Sequence, residues 1–243
     1  MTYCLGITTR QGLILASDSR TNAGSDDVNV YPKMHKFILP GERVLILLCS
    51  GSLSLSQSVI TLLQRDFNRG TGLAAAKTMY DAARVVGEQV RRISDLDRPN
   101  LERDGYSCNV HFIIGGQIRG ESHGLYLVYP QGNPISAAEE LPYLQIGERK
   151  YGRPILDRGV HFHKTSLEDA TKYALISLDS TMRSNVTVGP PIDLAVYSAN
   201  EFRITRYRRL GADDPDLIAI RKQWEQALRK TVQELPEVRF DSP

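Results

Sequence analysis

Thr2 follows Met1, and a small second residue generally permits removal of the initiator methionine. A chain that begins at Thr2 carries a hydroxyl and a free α-amine on one residue. The hydroxyl is a poor nucleophile near neutral pH and needs a base. The α-amine can be that base, because its ordinary pKa is about 7.7–8.0. A lysine cation beside the amine lowers that pKa, and an ionised aspartate keeps the lysine charged and oriented. A backbone N–H must then face the oxyanion of the tetrahedral intermediate. Asp18, Lys33 and Gly51 are placed to complete such a set. Asp18 ends an apolar run that starts at Gly12. Lys33 precedes a strand-like segment, and Gly51 lies in Ser50-Gly51-Ser52 between a strand and a helix. Alone, a strand-end Asp caps a turn and a Lys is solvated. Their combination with Thr2 and Gly51 favours the chemical reading.

The elements that must hold these residues are legible in the pattern. Tyr3 to Thr8 and Leu13 to Ser17 read as strands around the turn Arg10-Gln11-Gly12. Met34 to Leu39 and Arg43 to Cys49 read as a hairpin around Pro40-Gly41-Glu42. Leu45-Ile46-Leu47-Leu48 is apolar without alternation, as in a strand buried on both faces. Helical spacing predicts helices over Ser54 to Asn68 and from Leu73 to about Leu96, with Asp95 to Gly105 as a loop around Pro99. Strands follow at Val110 to Ile114 and Leu125 to Tyr129. A short helix is expected at Tyr151 to Arg158 and a longer one at Ser166 to Arg183, capped by Ser166. Asp193 to Ser198 and Phe202 to Tyr207 read as a last hairpin. Asp214-Pro215 opens a final helix reaching about Leu235. Its apolar stripe suits packing on the body of the chain or docking on a neighbouring subunit. This order predicts two face-to-face sheets covered by helices on both outer sides, in one domain over 1–243 with a helical extension at about 213–243.

Composition narrows the function classes. The chain has 243 residues, 24% of them charged, and a formal net charge of +2, which argues against nucleic-acid and membrane partners. No apolar run approaches the roughly 20 residues of a membrane span. The start of the chain lacks a charged n-region, so a cytoplasmic protein is expected. Cys4, Cys49 and Cys108 are sparse, odd in number and set in apolar stretches, as buried free thiols would be. His161 and His163 flank Phe162 as an alternating pair, but no third metal ligand is evident nearby. Gly115-Gly116 lacks the following Lys-Ser/Thr of a phosphate loop. Arg206, Arg208 and Arg209 read as a solvated strand end.

With these segments on the page, the chain resembles a proteasome β-type subunit. The resemblance is carried by Thr2, the run Gly12 to Arg20, Lys33, Ser50-Gly51-Ser52, Ile114-Gly115-Gly116 and Leu125-Tyr126-Leu127. Ser17 to Gly24, Lys33-Met34-His35 and Ile146 to Gly152 resemble the bacterial branch called Anbu, the ancestral β-subunit. The resemblance implies the α+β, four-layer αββα fold of N-terminal nucleophile hydrolases and a ring or open spiral of identical subunits. It implies Thr2 as nucleophile and base, Lys33 as the cation that lowers the amine pKa, Asp18 as its orienter and Gly51 N–H as oxyanion donor. Thr21 and Asn22 would bind an extended peptide or protein substrate, and Cys49 would line a side-chain pocket. No metal or organic cofactor is required. Two departures stand out. The usual Ser after Gly147 is Glu148, and Ser184 and Thr187 replace an Asp and a Ser that support the threonine amine. They leave room for a weakly active scaffold or peptide-binding subunit, or for a small-amide hydrolase using the same threonine chemistry.

Overall fold

The computed structural model describes residues 1–23 and 27–240. The chain opens with β1 (Tyr3–Thr9) and β2 (Gly12–Asp18), then a short hairpin of β3 (Arg20–Ala23) and β4 (Asp27–Val30). Next come β5 (Met34–Leu39), β6 (Arg43–Gly51), α1 (Leu53–Asn68), a single 3₁₀ turn at Gly72–Ala74 and α2 (Met79–Arg103). The second half runs β7 (Val110–Ile118), β8 (Gly124–Val128), β9 (Pro134–Ser136), β10 (Tyr143–Gly147), α3 (Arg153–Gly159) and α4 (Leu167–Ser184). It finishes with β11 (Ile192–Ser198), β12 (Arg206–Leu210) and α5 (Pro215–Gln233).

Two antiparallel five-stranded sheets form the centre. One has the order β10-β1-β2-β11-β12 and the other β5-β6-β7-β8-β9. Three apolar layers hold them. Leu13, Leu15, Val44, Ile46, Leu48, Ile113 and their neighbours pack between the sheets. Leu45, Leu47, Phe112 and Ile114 face the other way, against Val59 and Leu63 of α1 and Val86 and Val90 of α2. Leu5, Ile7 and Ile14 likewise meet Ala170, Ala174 and Leu178 of α4. The layering is therefore helix, sheet, sheet, helix. It explains the unbroken apolar runs of β2 and β6: successive side chains point to opposite faces, and both faces are covered.

Four sequence expectations are corrected. The Ala-rich stretch does not begin one long helix at Leu73. After the 3₁₀ turn the chain extends, and α2 starts at Met79 under a capping box in which Thr78 and Asp81 each accept the other's backbone N–H. The segment Asp95 to Gly105 is not a loop down to Gly105, because α2 runs through Pro99 to Arg103. Arg98 ties the surrounding turns by donating to Ser94 at 2.7 Å and Glu102 at 3.0 Å. Phe202 is not in the last strand. Asn200 and Phe202 take positive φ of 67° and 48° in the turn, and β12 starts only at Arg206. His161 and His163 lie in a turn after α3 rather than on a strand face, and no group of three or more metal ligands occurs among the described residues.

Other expectations hold. Ser166 caps α4 by accepting the Asp169 N–H at 3.0 Å, and Asp214 caps α5 ahead of Pro215. All three cysteines are free and buried. The arginines of β12 are each paired, Arg206 with Glu168, Arg208 with Asp214 and Asp216, and Arg209 with Asp193. Among the described residues no helix is long and apolar enough to cross a membrane. The inter-sheet layer should carry most of the stability. Leu15→Ala should cost about 2–5 kcal/mol in urea unfolding, whereas Leu235→Ala on the exposed C-terminal segment should change it by less than about 0.5 kcal/mol.

Candidate active site

β2 ends where the two sheets open at one edge, and Asp18 is its last residue. The carboxylate is fully buried and meets three donors from three separate segments. Lys33 Nζ donates to Oδ1 at 2.8 Å, Tyr3 N–H to the same oxygen at 3.0 Å, and Gly189 N–H to Oδ2 at 3.3 Å. Donors only, with no acceptor among the described residues, are what an ionised carboxylate requires. Burial pushes the Asp18 carboxyl above its usual range, and the Lys33 ammonium and the two N–H donors oppose that rise.

Lys33 is itself buried and spends a second donor on the Arg20 carbonyl at 2.5 Å. Its own backbone is fixed to the next sheet, since its carbonyl accepts the Cys49 N–H at 3.1 Å. The ion pair therefore clamps the end of β2, the start of β5, the end of β6 and the loop after α4. The Tyr3 N–H brings the chain's first strand into the same clamp. Met1 precedes Thr2 in the structure, and burial and the Lys33 charge both lower the pKa of its α-amine, while Asp18 and Glu148 raise it.

A cleft of about 570 Å³ opens beside this pair, lined among others by Thr2, Thr21, Ser50, Gly51 and Gly147. Gly51 has φ of +107°, and a Cβ there would lie 2.2 Å from the Asn109 carbonyl oxygen, so only glycine fits. Gly147 is constrained in the same way: φ is +84°, and a Cβ would meet the Thr2 carbonyl oxygen at 1.9 Å. That absence of a side chain lets β10 run directly beside Thr2, and the next N–H, from Glu148, donates to the Thr2 carbonyl at 2.7 Å. The Thr21 hydroxyl oxygen is buried and has no hydrogen-bond partner among the described residues.

Thr2, Asp18, Lys33 and Gly51 thus gather at one edge of the two sheets, with Thr21 on the same cleft and Asn22 next to it in β3. Two expected residues are elsewhere. Cys49 is buried, its thiol pKa is pushed up to about 12 chiefly by burial, and it is not among the residues that line the cleft. Ser184 is exposed at the end of α4. The residue that points inward is its neighbour Asn185, whose Nδ2 donates to Glu148 Oε2 at 3.1 Å. Thr187 belongs to this group, donating from its hydroxyl to Asn185 Oδ1 at 2.6 Å. Sequence pattern alone gave no signal for Gly189, which contributes only a backbone N–H.

Comparison with known proteins agrees with this architecture. The family described as Proteasome subunit matches residues 2–197. Proteasome subunit beta 2 of Pyrobaculum islandicum is 28% identical, over 84% of this chain and 94% of its own length. The structure of Anbu (ancestral beta-subunit) from Yersinia bercovieri is 41% identical, with a TM-score of 0.92 over 99% of this chain and 100% of that one. The helical assembly of the Anbu complex from Pseudomonas aeruginosa is 43% identical, with a TM-score of 0.92 over 98% of each chain. The fold, the convergence of Thr2 with a buried Asp–Lys pair, and these similarities over nearly the whole chain place it in one group: it belongs to the proteasome subunit family, alongside the Anbu ancestral β-subunits.

Proposed function

We propose that this chain is an N-terminal threonine peptidase subunit that hydrolyses amide bonds of peptide substrates. The observation that carries this reading is the buried Asp18–Lys33 pair, bonded to the N–H of the residue after Thr2, with Thr2 and Gly51 lining one cleft. With Thr2 as first residue, its α-amine takes the proton from its own hydroxyl, and the oxygen attacks the substrate carbonyl. The Gly51 N–H faces the oxyanion, the bond to the leaving nitrogen breaks, and water then releases the acyl group from Thr2. Lys33 holds the amine neutral before attack, and Asp18 holds Lys33 in place. Thr21 and Asn22 lie along an extended substrate as one strand beside another. The relative named as a helical Anbu assembly supports a further element of the reading: the chain works as one domain within an oligomer of identical copies.

The base must be neutral to act, so activity should rise with pH through the amine pKa. Burial and Lys33 both lower the pKa of the α-amine that Met1 carries, and the Thr2 amine freed by loss of Met1 should shift in the same direction. In peptide-hydrolysis profiles the acidic limb of kcat/KM should therefore lie below pH 8. Lys33→Met should move that limb upward and lower kcat by about a hundredfold. Thr2→Ala should abolish hydrolysis while the protein remains folded; activity that survives it belongs to another nucleophile and sinks the proposal. Intact mass must accompany these assays, since a chain that still carries Met1 has no free amine on Thr2 and should be inert. Asp18→Asn should cost about 3–5 kcal/mol in urea unfolding, because it leaves a buried lysine without its counter-charge.

A further inference from the structure

Glu148 is a buried carboxylate beside Thr2 that the reaction above does not use. Its side chain is only 6% exposed. Its N–H, bonded to the Thr2 carbonyl at 2.7 Å, fixes it next to the reacting residue. Its orientation is also fixed from behind. Asn185 Oδ1 accepts from the Thr187 N–H at 3.0 Å and from the Thr187 hydroxyl at 2.6 Å. A backbone N–H can only donate, so that end of the amide is its oxygen and the NH₂ must turn to Glu148 Oε2, at 3.1 Å.

A carboxylate out of water needs more compensation than one amide donor. Lys150 Nζ is 4.0 Å away and 79% exposed, which makes it a solvent-screened partner. Glu148 also acts on the α-amine at the start of the chain, carried in the structure by Met1, and favours its protonated form. In the reaction the Thr2 amine takes that form only between the two proton transfers.

We propose that Glu148, oriented by Asn185 and Thr187, is a positioning residue that holds the α-ammonium of Thr2 during the reaction. This rests on the threonine chemistry proposed above. The Thr2 hydroxyl gives its proton to the amine as the oxygen–carbon bond forms. The resulting ammonium gives that proton to the departing nitrogen as the carbon–nitrogen bond breaks. The proton moves only between the hydroxyl, the amine and the departing nitrogen. The charged groups that act on the Met1 amine, and so bear on the Thr2 amine once Met1 is gone, are Lys33 ahead of β5, Asp18 at the end of β2 and Glu148 after β10. Lys33 favours the neutral base needed before attack, and Glu148 favours the cation formed by it.

The test is a titration of the α-amine, by competitive acylation against pH, on chain whose first residue is Thr2. Removing a nearby negative charge disfavours the ammonium, so Glu148→Gln should lower the amine pKa by about half a unit or more. Glu148→Asp should retain most of the parent value. Asn185→Ala should shift it in the same direction by less, and serves if Glu148→Gln does not fold. In peptide hydrolysis, Glu148→Gln should move the acidic limb to lower pH and reduce the plateau kcat about tenfold, with KM within about twofold. An unchanged amine pKa in folded Glu148→Gln or Asn185→Ala overturns the proposal, as does a kcat loss with the acidic limb in place. The titration needs no turnover. A parent protein that hydrolyses nothing therefore counts against the peptidase reading, while the amine shift still decides the role of Glu148.

Discussion

The ion pair between Asp18 and Lys33 is the constraint around which the site is arranged. Both partners are buried, and neither charge is tolerable there without the other. Their mutual attraction alone does not offset the loss of water. Asp18 is completed by two backbone N–H groups and Lys33 by a backbone carbonyl, so satisfying the pair requires four chain segments to arrive together. One of those segments carries Thr2. The pair thus makes the position of Thr2 a consequence of folding, and the same lysine charge that needs the aspartate also bears on the α-amine of the preceding Met1.

The sheets make that arrangement affordable. Strands buried on both faces are rigid because three apolar layers fix them, and the ends of β2, β6 and β10 emerge at one edge. Close approach at that edge depends on glycine. Gly147 lets β10 lie against Thr2, and Gly51 lets β6 turn into α1 beside the Asn109 carbonyl. A side chain at either position would displace the residues that the ion pair aligns. Rigidity, glycine contacts and buried charge are therefore one device rather than three.

Much of this was legible in the sequence, for identifiable reasons. Apolar runs without alternation reported β2 and β6, because burial on both faces leaves no polar positions. Ser166 and Asp214 reported helix starts through side chains that must accept N–H groups. Asp18, Lys33 and Gly51 stand out in the sequence because their chemistry is in their side chains or in a glycine before a helix. What escaped depends on tertiary context. Gly189 acts through its backbone alone. The Ser184 and Thr187 pattern pointed to the right loop, but helix phase at the end of α4 turns Ser184 outward and Asn185 inward, and spacing does not resolve one residue of phase there. Cys49 lies next to the site in sequence, yet its side chain points into the layer beneath α1. Pro99 reads as part of a loop in the sequence, whereas α2 continues through it.

The central claim is that Thr2 supplies nucleophile and base from one residue. An α′,β′-epoxyketone peptide tests this most directly, because stable capture requires both a hydroxyl and a free amine. Intact mass and peptide mapping after treatment should show one inhibitor per chain, joined to Thr2 through both groups and lost in Thr2→Ala. No adduct on chain that begins at Thr2, or an adduct that maps to any other residue, would contradict the account.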